Sequence, residues 1–114
     1  MLKKGAVIIT QRARILESRW SHALGLMFRK KLDDESYIFV FKNPKRDYVT
    51  MMFMRFPIDI IWLDEDKKIL DIYEEARPYQ RLIPFKHKSK YMVECAAGTV
   101  RKHSLKIGEK LSFP

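Results

Sequence analysis

The sequence predicts a mainly β (α+β) fold. The expected form is a single-domain antiparallel β-sandwich or partly open barrel over residues 1–114, with one short helix at about 20–29 and a helical turn at about 97–103. Three observations lead there. Short β-branched and aromatic segments recur along the chain, bounded by Gly, Pro, Asn and Asp. A single segment has helical period. The crossover helices that parallel βαβ units require are missing. At 114 residues, 46% of them hydrophobic, the chain can close one core without disulfide or metal staples.

Residues 5–10 (GAVIIT) are short and β-branched and read as a first strand. In residues 20–29, Trp20, Ala23, Leu24, Met27 and Phe28 recur at i, i+3, i+4, i+7 and i+8, which is one face of a helix. Ser18 or Ser21 is placed to cap its start. Gly25 inside it costs about 1 kcal/mol relative to Ala, and leaves room for a close backbone approach. Residues 36–41 (SYIFVF) read as a strand, and 42–47, with Asn43 and Pro44, as a loop. Strands follow at 48–54, 58–63 and 68–74, the last two joined by the polar connection Asp64-Glu65-Asp66-Lys67. Residues 76–89 hold Pro78 and Pro84 and read as an irregular basic loop. Residues 90–95 (KYMVEC) are another strand. Gly108 marks a turn before a final strand at 109–113.

The stretch 49–64 (VTMMFMRFPIDIIWLD) is apolar on both faces, as in a strand covered on both sides. In 58–63 one face carries Ile58, Ile60 and Trp62, and the other Asp59, Ile61 and Leu63. Pro57 cannot donate to a ladder, so a bend separates the strands there. Arg55 and Asp59 sit beside that break. A buried charge without a partner costs several kcal/mol, so these two either pair or reach water. They form a structural ion pair at a sheet corner or the polar floor of an apolar pocket.

The motifs GLMFR (25–29), YIFVF (37–41), MFMRFPIDIIWLD (52–64) and VECAAGTVRKHSLKIGEKL (93–111) occur in this order. Together they resemble the uncharacterised DUF192 family, also called UPF0127, over nearly the whole chain from about residue 6. By position, Gly25, Leu26, Met27 and Arg29 match the first family motif. Phe53, Met54, Arg55, Pro57 and Asp59 match the third, with Arg55 where the family usually has lysine. Glu94, Gly98 and Gly108-Glu109 match the last. Ser36-Tyr37 departs from the family's Gly-Met, and the family's Asn-Thr after the basic residue is absent. The resemblance implies a compact, mainly β domain and no particular activity.

Arg29, Arg55, Asp59 and Glu94 are polar residues inside otherwise apolar segments. The expectation is that they converge at the rim of the β core, walled by Met27, Met54, Met52 and Phe53. Two arginines offer bidentate binding to a carboxylate or phosphate. The expected function is therefore a small binding module for an anionic or polar small ligand. The alternatives are a hydrolase-type enzyme using Asp59 or Glu94 as general base, and a polyanion-binding accessory protein. If neither holds, Arg29–Asp59 and Arg55–Glu94 simply neutralise one another.

The formal charge is +9, from 23 basic and 14 acidic residues. The basic tracts 42–46, 77–90 and 101–106, the second interleaved with Tyr79, Phe85 and Tyr91, match a stacking platform for nucleic acid. A solvated loop face explains them equally well, so nucleic acid is the weaker expected partner. Charged residues make up 32% while Asn and Gln are scarce, a balance that points to a heat-adapted source. The methionines lie on apolar segments as core filler. The three histidines and the lone Cys95 show no metal-ligand spacing, so no metal and no cofactor is expected. Cys95, between Val93 and Ala96, reads as a small buried hydrophobe. The apolar run at residues 6–9 is too short for a signal h-region or a membrane span, so a cytoplasmic monomer away from membranes is expected.

Overall fold

The computed structural model describes residues 1–17, 32, 34–45, 48–49, 51, 55–79, 83–84 and 87–114. In chain order its strands are β1 (Leu2–Lys4), β2 (Val7–Thr10), β3 (Arg12–Leu16), β4 (Glu35–Lys45), β5 (Tyr48–Val49), β6 (Ile58–Leu63), β7 (Ile69–Ala76), β8 (Ile83–Pro84) and β9 (Ser89–Ala96). One helical turn, α1 (Thr99–Lys102), follows β9. A five-stranded sheet in the order β3-β4-β9-β6-β7 forms the centre, flanked by the pairs β1-β2 and β5-β8. The fold is mostly β, its sheets do not close into a barrel, and the arrangement is sandwich-like. Among the described residues no helix is long and apolar enough to cross a membrane.

Strand β6 explains how the layers are built. Every one of its residues is buried, because it lies between β9 and β7 with both faces covered. Successive side chains point to opposite faces, so Ile58, Ile60 and Trp62 enter one core with Tyr37, Phe39, Phe41, Met51 and Met92. Ile61 and Leu63 enter a second core with Leu2, Ile38, Val93, Val100 and Leu111. Burying each such side chain stabilises the fold by about 1.5–3 kcal/mol. The face assignment read from residues 58–63 is the one observed.

Local chemistry sets the connections. At the β6–β7 hairpin, Asp64 Oδ1 accepts from the N–H groups of Asp66 (2.8 Å) and Lys68 (3.0 Å). Its chain ends are tied to one another: Lys3 and Ser112 exchange both backbone hydrogen bonds, at 2.9 and 2.8 Å.

Several boundaries differ from expectation. The strand expected at residues 5–10 is β2, which begins only at Val7 and is the second strand rather than the first. Gly5, at φ +61°, turns the chain between β1 and β2. Strand β4 runs on to Lys45, through the segment read as a loop, and its register with β9 shifts between Val40 and Lys45. Pro44 lies in that irregular stretch, where the missing N–H is tolerated. Residues 109–113 form only isolated bridges at Lys110 and Ser112. The segment read as an irregular loop at 76–89 contains the end of β7 and the short β8. Strand β3 was not expected, and it pairs with β4 in parallel. Residues 17–34 connect the two, long enough for the roughly dozen-residue crossover that a parallel pair needs. The helix expected at 20–29 lies outside the described residues. The expected turn at 97–103 is α1.

Candidate functional site

The register of the central sheet places five residues in one transverse row. Arg14 pairs with Tyr37, Tyr37 with Glu94, Glu94 with Ile60, and Ile60 with Tyr73. Paired residues share a face, so this row crosses all five strands on the side of the core that holds Trp62 and Met92. The next row toward the hairpin end runs Leu16, Phe39, Met92 and Trp62 and ends on Asp71 of β7. The adjoining row on the other side begins with Arg12 paired to Glu35. Polar side chains thus enter this face on β3, β4 and β9 and again on β7, with Ile58, Ile60 and Trp62 of β6 between them.

Glu94 is the centre of that row. It is 6% exposed, with Ile60 and Tyr37 directly opposite it on either side. No hydrogen bond or ion pair joins it to a described residue. Burial pushes its carboxyl up to about 8, so at neutral pH it holds its proton and both donates and accepts hydrogen bonds. The neighbouring Glu35 differs. Arg14 donates from Nε to Glu35 Oε1, and this bond, with the charge it carries, raises the Arg14 pKa above its ordinary value. The two carboxyls of one face therefore sit in contrasting settings, one held by a guanidinium and one without a charged partner.

Asp59 is completely buried and lies on the opposite face, paired with Cys95. Its Oδ1 accepts from the Glu75 N–H (2.9 Å), and its Oδ2 from the N–H groups of Gly98 (3.1 Å) and Val100 (2.9 Å). Gly98 and Val100 belong to the first turn of α1, whose own cap residue, Gly98, offers no side chain. Asp59 supplies the cap from another strand. Glu75 sits where the β6–β7 register shifts between Ile58 and Ile60, in the left-handed conformation at φ +54°. A bulge frees one N–H from the ladder, and Asp59 takes it. One carboxylate thus fastens β6 to the bulge of β7 and to α1.

This separates the residues expected to converge. Asp59 and Glu94 face opposite cores, with the sheet between them. Arg55 is exposed on the bend before β6. Arg29, Met27 and Met54 lie outside the described residues. Neither role read for Asp59 beside Pro57 describes it, because backbone amides rather than an arginine or water satisfy its oxygens. Cys95 is fully buried as expected. Burial first, then the charge of Asp59, pushes its thiol up to about 12, and its Sγ–H points at the Asp59 carbonyl oxygen 3.8 Å away. Sequence reading missed Arg14, Glu35 and Tyr37. The alternation Arg12-Ala13-Arg14-Ile15 is a strand signal that would have exposed the first. Among the described residues no group of three or more His, Cys, Asp or Glu is placed to hold a metal ion.

Known proteins share this architecture. A crystal structure of a protein of unknown function from Novosphingobium aromaticivorans superposes with a TM-score of 0.83 at 27% identity, covering 89% of this chain and 74% of that one. A UPF0127 protein of Pyrococcus furiosus is 32% identical over 94 residues, 79% of this chain and 76% of that protein. Another UPF0127 protein, from Pyrococcus horikoshii, is 30% identical over 104 residues, 88% and 85% of the two chains. These Pyrococcus relatives come from thermophilic archaea. The sequence model of DUF192 (Uncharacterized ACR) matches residues 2–113, and the chain belongs to that family.

Proposed function

We propose that the protein is a small binding module whose ligand, polar or anionic, engages Glu94 on the sheet face that carries Arg14 and Tyr37. The observation behind this reading is a buried carboxyl group with no described partner in the middle of an apolar sheet face. A protonated carboxyl does not repel an anion, and it donates a hydrogen bond to a carboxylate, phosphate or carbonyl oxygen. Arg14, on the same row, pairs with Glu35 through Nε, so its charge there is largely offset. A catalytic reading would also run through Glu94, because the oxygens of Asp59 are occupied by backbone amides.

Thermal-shift screening with carboxylate and phosphate metabolites tests the proposal. The wild type is expected to be stabilised, with affinity falling as pH rises through about 8 and Glu94 loses its proton. Glu94→Gln keeps a donor at every pH, so it retains binding and loses that pH dependence. Glu94→Leu abolishes binding. Undiminished binding in Glu94→Leu would remove the site.

A further inference from the structure

A second feature stands apart from the Glu94 row. At the end of the sheet, between the start of β4, the end of β9 and α1, lies a cavity of about 500 Å³. That is within the range of about 300–1,000 Å³ typical of small-molecule sites. Its floor is Ala96, Ala97 and Gly98, small residues that leave room above the backbone. Asp34 and Glu35 stand on one wall, Lys102 and His103 on another.

The two walls carry opposite charge and do not neutralise each other. Glu35 is held by Arg14, which leaves Asp34 as the acidic group of its wall. Asp34 Oδ1 accepts from the Gln11 N–H at 3.0 Å, and no described cation pairs with the carboxylate. No described carboxylate pairs with Lys102. Two backbone amides at the start of α1, those of Gly98 and Val100, are already taken by Asp59. The Thr99 hydroxyl donates to the Ala96 carbonyl at 2.6 Å. Charge recognition in this cavity therefore falls to side chains from two separate elements.

The backbone of both walls is tied to neighbouring strands. The Arg12 N–H donates to the Asp34 carbonyl at 3.2 Å. On the other side Lys4 Nζ donates to the His103 carbonyl at 3.1 Å, and Asp59 anchors the first turn of α1. Opposite charges carried on two anchored segments favour a ligand that carries both signs.

We propose that this cavity binds a small zwitterion of the amino-acid class, its ammonium group at Asp34 and its carboxylate at Lys102 and His103. Isothermal titration of the full chain with glycine, γ-aminobutyrate and lysine, against acetate and methylammonium as single-charge controls, tests this. At least one zwitterion is expected to bind with a Kd of about 1 mM or tighter, and each control at least about tenfold more weakly. Asp34→Asn keeps the acceptor for Gln11 while removing the charge, and Lys102→Gln alters an exposed position, so neither threatens the fold. Each is expected to weaken the zwitterion about tenfold. Acetate binding as well as the zwitterions would overturn the proposal, as would no zwitterion binding at all. So would loss of binding in Glu94→Leu but not in Lys102→Gln, which would move the ligand to the Glu94 row and leave that separate reading intact.

Discussion

Two buried carboxyls, one residue apart in sheet register, illustrate how setting decides role. Asp59 faces three backbone N–H donors; Glu94 lies between Ile60 and Tyr37 with no described partner. Hydrogen bonds to a charged group contribute about 1.5–3 kcal/mol each, and donors left buried without an acceptor cost about 1–3 kcal/mol. Asp59→Ala is therefore expected to destabilise the fold by about 3 kcal/mol or more. Urea unfolding measures the loss, and amide exchange should accelerate first at Glu75, Gly98 and Val100. Cys95 belongs to the same neighbourhood. With its thiol pushed up to about 12 and its side chain sealed, it should resist iodoacetamide in the folded protein and react fully after unfolding. Fast labelling of native protein would show that the core around Asp59 opens. Much at this scale was legible in the sequence: Cys95 as a buried hydrophobe, Asp59 as a group that needs partners. The kind of partner was not, because an amide donor from a bulge and a distant turn leaves no trace in residue type.

Elements formed where local signals agreed with their surroundings. The run Ile58–Leu63 alternates between two apolar faces and occupies the one position, between β9 and β7, that needs both. Strand β3 went unread although Arg12-Ala13-Arg14-Ile15 alternates with period 2, because only five residues carry the pattern and two of them are charged. Tertiary pairing with β4 overrides that polarity, and Glu35 satisfies Arg14. β4 outran its predicted end because a register shift absorbs Pro44. The convergence of Asp59 with Glu94 failed for a register reason too: Ile60, not Asp59, is opposite Glu94, and a slip of one residue exchanges the faces. Sequence supplies the alternation within a strand but not the pairing between strands. At α1, Gly98 has φ +93° with open space where a Cβ would sit. Gly98→Ala should thus cost only the backbone penalty, about 1–2 kcal/mol, read as a shift in the urea midpoint. A loss several times larger would mean that the turn is sterically closed.

For the whole molecule, one sheet divides two cores and gives each face its own task. One face, with Asp59, Cys95, α1 and the paired ends Lys3 and Ser112, holds the chain together. The other carries Trp62, Met92 and the polar row around Glu94. Global stability should register the second face through pH. The folded chain keeps the Glu94 proton up to about 8, whereas the exposed group of the unfolded chain releases it near the ordinary 4.5. Between these values the folded state binds the extra proton, so stability is greatest below about 4.5 and declines as pH rises toward 8. The decline attributable to Glu94 amounts to a few kcal/mol. It should appear as the difference between wild type and Glu94→Gln in urea unfolding at about pH 5.5 and about pH 8.5. Equal pH slopes in the two proteins would remove Glu94 as the cause.

The most direct test of this division is the titration of the Glu94 side-chain carboxyl carbon by NMR in the folded protein. A midpoint near 8 is the expected result. A midpoint near that of a free glutamate, about 4.3, would mean that the carboxyl meets water or a cation, and the proposed site on that face would be lost.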